Sequence, residues 1–331
     1  MLELTGVTKR FGDTIALHPT DLQAGSGTTV LIGPSGCGKS TLLRLMLGLI
    51  RPDHGQVSIE GTILGEQNLE SLRHRIGYVI QDGGLFPHLR ACDNVTLVAR
   101  HLGWTQDQIQ LRLNELAQLT HFPVDGLDRY PAQLSGGQQQ RIALVRALAT
   151  SPGLLLLDEP LSALDAKVRT YLRHEMKLLQ RRLGVTTVMV THDQEEALTM
   201  ADRIVVMNQG VIEQIGTPIE IYREPSTLFV ADFVGAMNQI EGKASSNNSV
   251  KVGDTTFTSR EHNLQTDSPV IVAIRPEDIV PHREGTSSQG VFETGDTENI
   301  FDAAVEDMEF LGSFWRVSLN NSDFGDAVLI A

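Results

Sequence analysis

The fold of this chain is decided by the stretch Gly33-Pro34-Ser35-Gly36-Cys37-Gly38-Lys39-Ser40-Thr41. It fits the pattern G-x-x-x-x-G-K-[ST], with an apolar run at 28–32 before it and a leucine-rich run at 40–49 after it. Glycines let the backbone curl so that successive N–H groups point at one anion, and a following helix adds its positive end. Strand, loop and helix together predict an α/β phosphate-loop (P-loop) NTPase fold. The whole stretch would bind the nucleotide, with Lys39 on the β- and γ-phosphates and Ser40 on Mg²⁺.

Two adjacent carboxylates, Asp158 and Glu159, follow an apolar run at 154–157. Adjacent acids on an exposed strand would usually be solvated. At the carboxyl end of a strand buried on both faces, downstream of a phosphate loop, they are instead placed to act on the phosphates. The sequence therefore predicts that Asp158 holds Mg²⁺, through water, and that Glu159 orients and polarises the attacking water.

A second glycine-containing string opens a predicted helix at 138–149, and it reads Leu134-Ser135-Gly136-Gly137-Gln138. Ser135 is a good N-cap, and that structural role alone would account for it. Two glycines weaken a helix start, and the sequence shows no packing benefit from them. The pattern is typical of a surface where backbone N–H groups approach a ligand closely.

The two glycine strings, in this order, resemble the nucleotide-binding subunits of ATP-binding-cassette (ABC) transporters, and the resemblance covers nearly the whole chain. In that family neither string completes a site within its own chain. The resemblance therefore implies a second copy of the chain, closed head to tail with the first around two ATP·Mg²⁺. The residues that would contact the γ-phosphate held by the other copy are Ser135, Gly136, Gly137 and Gln138. Also implied are two transmembrane permease subunits, a periplasmic or surface solute-binding protein acting through the permease, and a peripheral position on the cytoplasmic face of the inner membrane.

Further residues match the motifs of the same family. Phe11 matches the aromatic that stacks on adenine, although a lone phenylalanine is as often a core residue. Gln81 matches the Q-loop glutamine, which contacts Mg²⁺ and the water, and Asp165 matches the D-loop that crosses the dimer interface. His192 matches the switch histidine that contacts the γ-phosphate, whereas a lone histidine at a strand end is more often structural. The stretch at 85–88 resembles the groove that receives a coupling helix of the permease.

The chain is expected to form two domains. Residues 1–235 would form the ABC ATPase domain, with a RecA-like core of parallel strands and a helical subdomain at about 86–150, in which residues 89–150 read as helical throughout. From 236 to 331, loop-rich stretches at 245–249 and 284–289 separate short strand patterns, which predicts an all-β domain. The stretch at 273–278 resembles a motif of the regulatory OB-like (TOBE) domain of import ATPases. That domain continues for a few more strands in the family, so we expect an incomplete module.

Composition limits the class of protein. Apolar residues make up 41% and charged residues 21%, no apolar run is long enough to span a membrane, and no signal peptide is visible. The net charge is −14, and residues 236–331 carry 6 Lys and Arg against 16 Asp and Glu. An acidic chain is a poor ligand for nucleic-acid backbones, so we expect no nucleic-acid partner. The two cysteines, Cys37 and Cys92, indicate a reduced cytosolic protein.

The predicted function is ATP hydrolysis that drives solute import through a permease. A soluble ABC protein of DNA repair or translation is the alternative from another class, but the sequence shows no tandem cassette and no basic arm. The OB-like domain argues against an exporter ATPase. The stretches 229–235 and 306–316 look most similar to 2-aminoethylphosphonate import ATPases, with ferric-iron and polyamine importers close behind. The stretch 76–88 looks instead like glycine-betaine import ATPases.

The position of Cys37 carries one more expectation. It lies at the start of a predicted helix, beside Lys39, and both features favour the thiolate. We therefore expect a reactive thiol that bound ATP protects.

Overall fold

The structure is a computed structural model and describes residues 1–281, 299–324 and 328–331. The chain forms two compact units, Met1–Val230 and Ala231–Ala331. The loop-rich stretch expected at 284–289 lies outside the described residues. Within the part of the chain that the structure describes, no helix is long and apolar enough to cross a membrane.

The first unit is an α/β assembly. Its elements in chain order are β1 (Leu2–Phe11), β2 (Thr14–Ala24), β3 (Thr28–Ile32), α1 (Lys39–Met46), β4 (His54–Ile59), β5 (Thr62–Ile63), α2 (Leu69–Arg73), β6 (Ile76–Val79), α3 (Ala91–His101), α4 (Gln106–Leu119), α5 (Gly136–Leu148), β7 (Leu154–Asp158), α6 (Ala166–Leu183), β8 (Thr186–Val190), α7 (Gln194–Met200), β9 (Arg203–Asn208), β10 (Val211–Gly216) and α8 (Pro218–Arg223). A further helix, α9 (Leu228–Phe233), spans the division between the two units.

A mainly parallel sheet forms the centre of this unit, with the strand order β10-β9-β3-β8-β7-β6. Every neighbouring pair is parallel except β10 with β9. Strands β3 and β8 are buried along their whole length, and the apolar runs at 30–32 and 188–190 are typical of strands covered on both faces. Because parallel strands end at the same edge, the sheet brings the segments after β3, β6, β7 and β8 together. This edge holds the phosphate loop, Gln81, the carboxylate pair and His192.

An antiparallel sheet with the order β2-β1-β4-β5 lies beside the central sheet. Its inward side chains join the same core as α1, which buries Leu42, Leu43 and Leu45 at helical spacing. This shared core fixes α1, and with it the phosphate loop, against both sheets.

The helical subdomain consists of α3, α4 and α5, with α3 packed on both of the others. Continuous helix over 89–150 is therefore wrong in detail. Gly103, at a φ of +75°, follows the end of α3, and Pro123 and Pro131 lie between α4 and α5. Proline cannot continue a helix, and a left-handed glycine ends one. The interruptions divide the segment into three helices.

The second unit is all-β in its described part. Its strands are β11 (Asn238–Ser246), β12 (Ser249–Val252), β13 (Thr255–Thr258), β14 (Pro269–Ile274), β15 (Ala304–Phe310), β16 (Trp315–Asn320) and β17 (Val328–Ile330). They form antiparallel sheets with the orders β13-β12-β11-β14 and β15-β16-β17. Both sheets contribute to one core, which includes Ile240, Phe257 and Phe324. The predicted fold class, a P-loop ABC ATPase followed by an OB-like β domain, is confirmed.

Candidate functional site

The phosphate loop joins the end of β3 to the start of α1. A Cβ added at Gly33 would overlap the Met207 carbonyl oxygen, so the loop passes too close to β9 for a side chain. Gly38 caps α1 at a φ of +109°, and a Cβ there would lie 2.7 Å from the Ala16 carbonyl oxygen. Both glycines are therefore required by the backbone path, as the motif predicts.

Lys39 is held inside the loop. Its Nζ donates hydrogen bonds to the carbonyl oxygens of Gly33 at 2.7 Å and Pro34 at 3.0 Å, and only 7% of the residue is exposed. Cys37 Sγ lies 3.6 Å from the same Nζ, and Cys37 is 3% exposed. This burial counts against the expected reactivity of Cys37, because a buried sulfur lacks the access that a reagent requires.

Asp158 ends β7 and is partly buried beside Tyr78, whose hydroxyl lies 3.5 Å from Asp158 Oδ2. Burial, and after it the neighbouring charge of Glu159, raises the pKa of the Asp158 carboxyl. Burial and the Asp158 charge raise the pKa of Tyr78 to about 12. A concentrated negative charge of this kind favours a cation. The hydroxyl of Ser40, the carboxylate of Asp158 and the amide oxygen of Gln81 are the hard oxygen donors that Mg²⁺ prefers, so the donor set fits that ion.

Glu159 lies at the centre of the site. Gln81 Nε2 donates to Glu159 Oε2 at 3.2 Å, and His192 Nδ1 lies 3.1 Å from the same oxygen. Glu159 itself has a φ of +46°, and its N–H donates to the Val190 carbonyl oxygen at 2.9 Å. A left-handed conformation in a residue other than glycine is costly and tends to persist where the surroundings fix it, as at functional sites. The structure thus brings Gln81 and His192 to one carboxylate oxygen of Glu159, the third predicted catalytic residue.

Residues that the sequence analysis missed hold His192 in place. Thr191 is buried and donates to Glu196 Oε2 at 2.7 Å, while Asp193 caps α7 by accepting from the Glu196 N–H. Arg169 contacts Asp193 Oδ2 at 3.3 Å and also donates to the Leu164 carbonyl oxygen at 3.0 Å. Arg169 therefore links the segment after His192 to the residue before Asp165. Arg169 is one of several charged residues of α6, and nothing in the sequence distinguishes it from the others for this role.

The second glycine string begins α5. Ser135 Oγ accepts from the Gln138 N–H at 3.3 Å and the Ser135 N–H donates to Gln138 Oε1 at 2.9 Å, which is a capping box. A Cβ added at Gly137 would lie 2.9 Å from Val168 Cγ1 on α6. The prediction that these glycines bring no packing benefit is therefore wrong for Gly137.

The glycine string is not joined to the phosphate loop of its own chain. Among the described residues, no hydrogen bond or ion pair connects 135–138 with 33–41. Ser135 is exposed, and Gln138 is partly so, so this segment is open to another molecule.

Phe11 and Asp165 occupy positions at the surface of the first unit. Phe11 ends β1 with 49% of its surface exposed, and Lys9 Nζ lies 5.5 Å from its ring centroid. The alternative of a core phenylalanine is therefore wrong. Asp165 is the N-cap of α6, since its Oδ1 accepts from the Val168 N–H at 3.0 Å.

The segment after Gln81 is held by two polar residues of the helical subdomain. Arg146 donates to the carbonyl oxygens of Gly83 at 2.7 Å and Gly84 at 2.6 Å. Asn94 is fully buried; its amide donates to the carbonyl oxygens of Phe86, Leu89 and Arg90, and its Oδ1 accepts from the Phe86 N–H at 2.7 Å. These bonds leave the ring of Phe86 43% exposed.

Comparison with known proteins gives a consistent result. Residues 17–162 match the family described as ABC transporter. The chain is 51% identical over 317 residues to the Fe(3+) ions import ATP-binding protein FbpC 2 of Rhizobium meliloti (strain 1021), covering 94% of this chain and 78% of that protein. It is 45% identical over 333 residues to the sulfate/thiosulfate import ATP-binding protein CysA 2 of Chromobacterium violaceum, covering 100% of this chain and 87% of that protein.

Among solved structures, the fold is similar to a dimeric ATP-binding cassette, MJ0796, in a post-hydrolysis state bound to ADP and Pi. The TM-score is 0.58 at 33% identity, and the match covers 66% of this chain and 99% of that one. The fold, the phosphate site and these similarities define a P-loop ATPase of the cassette type. The chain belongs to the ABC transporter family, and it is the ATP-binding, ATP-hydrolysing subunit of an importer.

Proposed function

We propose that two copies of this chain close head to tail around two ATP·Mg²⁺ and hydrolyse them in composite sites. The observation that carries the proposal is the convergence of Gln81 and His192 on Glu159, in a chain whose Ser135–Gly136 segment is not joined to its own phosphate loop. The similarity to a dimeric cassette supports the same arrangement. The γ-phosphate held by one loop would be contacted by the exposed capping box of the partner.

Within one site, the loop 33–41 would bind the phosphates and Phe11 would stack on the adenine. Ser40, Gln81 and Asp158 would hold Mg²⁺, which neutralises charge on the β- and γ-phosphates when bound. Lys39 would exchange its bonds to the loop carbonyls for bonds to the phosphates. The exchange is favourable because a charge-assisted bond to an anion is stronger than one to a neutral carbonyl.

Glu159 would orient the attacking water and accept its proton at a carboxylate oxygen. His192 would move from that carboxylate to the γ-phosphate and hold it during transfer. Asp165, at the N-cap of α6, would lie at the dimer interface. Catalysis of this kind is mainly positioning and charge stabilisation, which these side chains supply.

The exposed loop at 86–88 would receive a coupling helix of the permease. Asn94 bonds the backbone of Phe86 and Arg146 bonds that of Gly83 and Gly84 just before the loop, while Phe86 is left exposed, as expected of a docking surface. Two transmembrane permease subunits, a solute-binding protein outside the membrane and a peripheral position on its cytoplasmic face complete the proposed importer. The domain assignment, 1–235 for the ATPase and 236–331 for a regulatory OB-like domain, is part of this proposal.

Ferric iron is the first candidate cargo, since the relative at 51% identity is named an Fe(3+) import protein. A second candidate is 2-aminoethylphosphonate, which the stretches 229–235 and 306–316 support by resemblance. The chain reconstituted with its permease would be tested for ATPase stimulation by the cognate binding protein loaded with either cargo. Stimulation by the ferric form supports the first, and stimulation by the phosphonate form alone would replace it with the second. No stimulation by either would contradict both.

A further inference from the structure

A cluster of one carboxylate and two imidazoles lies outside the nucleotide site. Glu70, His74 and His101 each offer one ligand atom, and these atoms all lie within 4.8 Å of one another. The rings of His74 and His101 meet edge to face with centroids 6.0 Å apart. We propose that Glu70, His74 and His101 form a binding site for a divalent transition-metal ion such as Zn²⁺.

The backbone presents the three groups to one point. Glu70 lies in α2 and His74 caps its end, with the His74 N–H donating to the Glu70 carbonyl oxygen at 3.2 Å. Residues four apart on a helix share one face, so the carboxylate and the first imidazole lie side by side. His101 is the last residue of α3 and approaches from the helical subdomain.

The neighbouring cations are engaged elsewhere. Arg73 donates to the carbonyl oxygens of Leu47 at 3.1 Å and Gly48 at 2.8 Å, and Arg100 pairs with Asp93 at 2.9 Å. In the described part of the chain, the side chains of the three cluster residues form no hydrogen bond or ion pair of their own. The carboxylate therefore faces two imidazoles without an arginine or lysine to neutralise it.

The donor chemistry selects the class of ion. Two imidazole nitrogens and a carboxylate oxygen are ligands for Zn²⁺, Co²⁺ or Ni²⁺, whereas Mg²⁺ prefers oxygen ligands alone. Bonds of about 2.1 Å in tetrahedral geometry place ligand atoms about 3.4 Å apart. Small rotamer changes of these partly exposed side chains would bring their ligand atoms from within 4.8 Å to that separation. Water would complete the coordination, which makes the site open and exchangeable.

The position of the site indicates what binding would do. His74 precedes β6 in the sheet core, and His101 ends α3, so an ion there would cross-link the core to the helical subdomain. The chain between the two histidines contains Gln81 and the loop at 86–88. A bound ion would therefore restrain the segment that joins the nucleotide site to the proposed permease surface.

The test uses the full chain, without a polyhistidine tag and without nucleotide. Titration with Co²⁺, followed by its visible absorption, and calorimetry with Zn²⁺ would count the sites. To exclude the nucleotide site, the titrations would be made in the background of Asp158→Asn and His192→Ala, which removes the proposed carboxylate ligand and the imidazole beside Glu159. We expect one ion per chain, with affinity at least about tenfold weaker in His74→Ala and in His101→Ala, because loss of a ligand should cost no less than loss of a group that only orients one.

The matched control is His121→Ala. His121 is likewise exposed and lies 2.7 Å from a carboxylate, Glu175 Oε2, but without a second imidazole. Binding should be unchanged in this variant. Saturating Zn²⁺ should also raise the melting temperature of the parent protein and not that of His101→Ala, by linkage. Affinity unchanged by loss of His101, or no Co²⁺ spectrum at millimolar metal, would overturn the proposal. Circular dichroism of each variant separates metal loss from misfolding.

Discussion

Glu159 Oε2 lies 3.1 Å from His192 Nδ1, across the gap between the ends of two neighbouring parallel strands. The same oxygen accepts a hydrogen bond from Gln81 Nε2 at 3.2 Å. Residues from three separate segments thus meet on one carboxylate. In the proposed mechanism this carboxylate gives up both contacts and binds the attacking water instead. Its role in catalysis therefore depends on the negative charge of Glu159 more than on the size of the side chain.

Replacing Glu159 by Gln keeps the shape of the side chain and removes its charge. We expect ATP binding to be retained and an ATP-bound dimer to accumulate, with kcat lowered about 10²- to 10⁴-fold, as for the loss of a general base. Glu115→Gln is the control, because Glu115 is exposed on α4 in the helical subdomain and pairs with Arg112. Steady-state hydrolysis and size-exclusion chromatography with ATP would measure both effects. Near-parental turnover in Glu159→Gln would remove the role assigned to this residue.

Gly137 gives a test of packing that is independent of catalysis. A Cβ at Gly137 would lie 2.9 Å from Val168 Cγ1, whereas one at Gly136 would lie 3.4 Å from Leu164 Cδ2, an ordinary contact. Gly137→Ala should therefore destabilise the fold by about 1–3 kcal/mol, as overpacking does, and Gly136→Ala by less. Adding Val168→Ala should recover stability only in the Gly137→Ala background. Urea unfolding would measure the stability of Gly137→Ala and Gly136→Ala, each with and without Val168→Ala. Equal stability of the two single glycine variants would contradict the packing role.

Asn94 holds the proposed docking loop from inside. Asn94→Ala would remove the acceptor of the Phe86 N–H and the side-chain donor to the Leu89 carbonyl oxygen, which should cost about 1–3 kcal/mol of unfolding free energy. Asn114→Ala is the control, because Asn114 is exposed on α4. Among the described residues, its side chain has a hydrogen bond only from Gln110 Nε2. We expect that control to change stability by less than about 0.5 kcal/mol. Equal effects would mean that the Asn94 bonds do not fix the loop.

The two cysteines should differ in reactivity and in pH dependence. Burial, and after it the charges of Asp93 and Asp128, raises the pKa of the half-buried Cys92 thiol. Its thiolate fraction is therefore below that of an ordinary cysteine at neutral pH, and its alkylation should accelerate as pH rises through that raised value. Cys37 should be slower still in the folded protein because it is 3% exposed. Peptide mapping after maleimide treatment measures both, and rapid ATP-sensitive labelling of Cys37 would show that the loop opens.

The sequence was sufficient for β3 and β7 because the apolar runs at 28–32 and 154–157 are typical of buried strands, and the phosphate-loop pattern determines the loop and the helix after β3. Local motifs identified Lys39, Asp158 and Glu159, although the partners of Glu159, Gln81 and His192, come from distant segments. It could not show that Gly137 packs on α6, since that contact joins residues from two helices. Nor could it identify the burial of Cys37 beside Lys39, which depends on how α1 is covered by both sheets.

Long-range polar contacts were equally invisible to sequence reasoning. Asn94 and Arg146 have no motif of their own, and their roles come from carbonyl oxygens on a loop of another segment. Arg169 is one of several charged residues on α6, and only the fold shows that it links Leu164 to Asp193. Motif residues could be identified because short patterns of neighbouring residues mark them. The roles of the residues that position them depend on contacts between distant segments.

The central claim is that each ATP site is built from two chains, and mixing two inactive variants tests it most directly. Lys39→Ala removes the phosphate ligand of one chain, and Ser135→Arg blocks the segment offered to the other. A composite-site heterodimer of these variants has one site with both lesions and one with neither, so hydrolysis should reappear on mixing. Wild type mixed with the double variant should form heterodimers with a lesion in each site and lose activity. Activity that is absent from the first mixture and retained in heterodimers of the second would place each site within one chain and contradict the account.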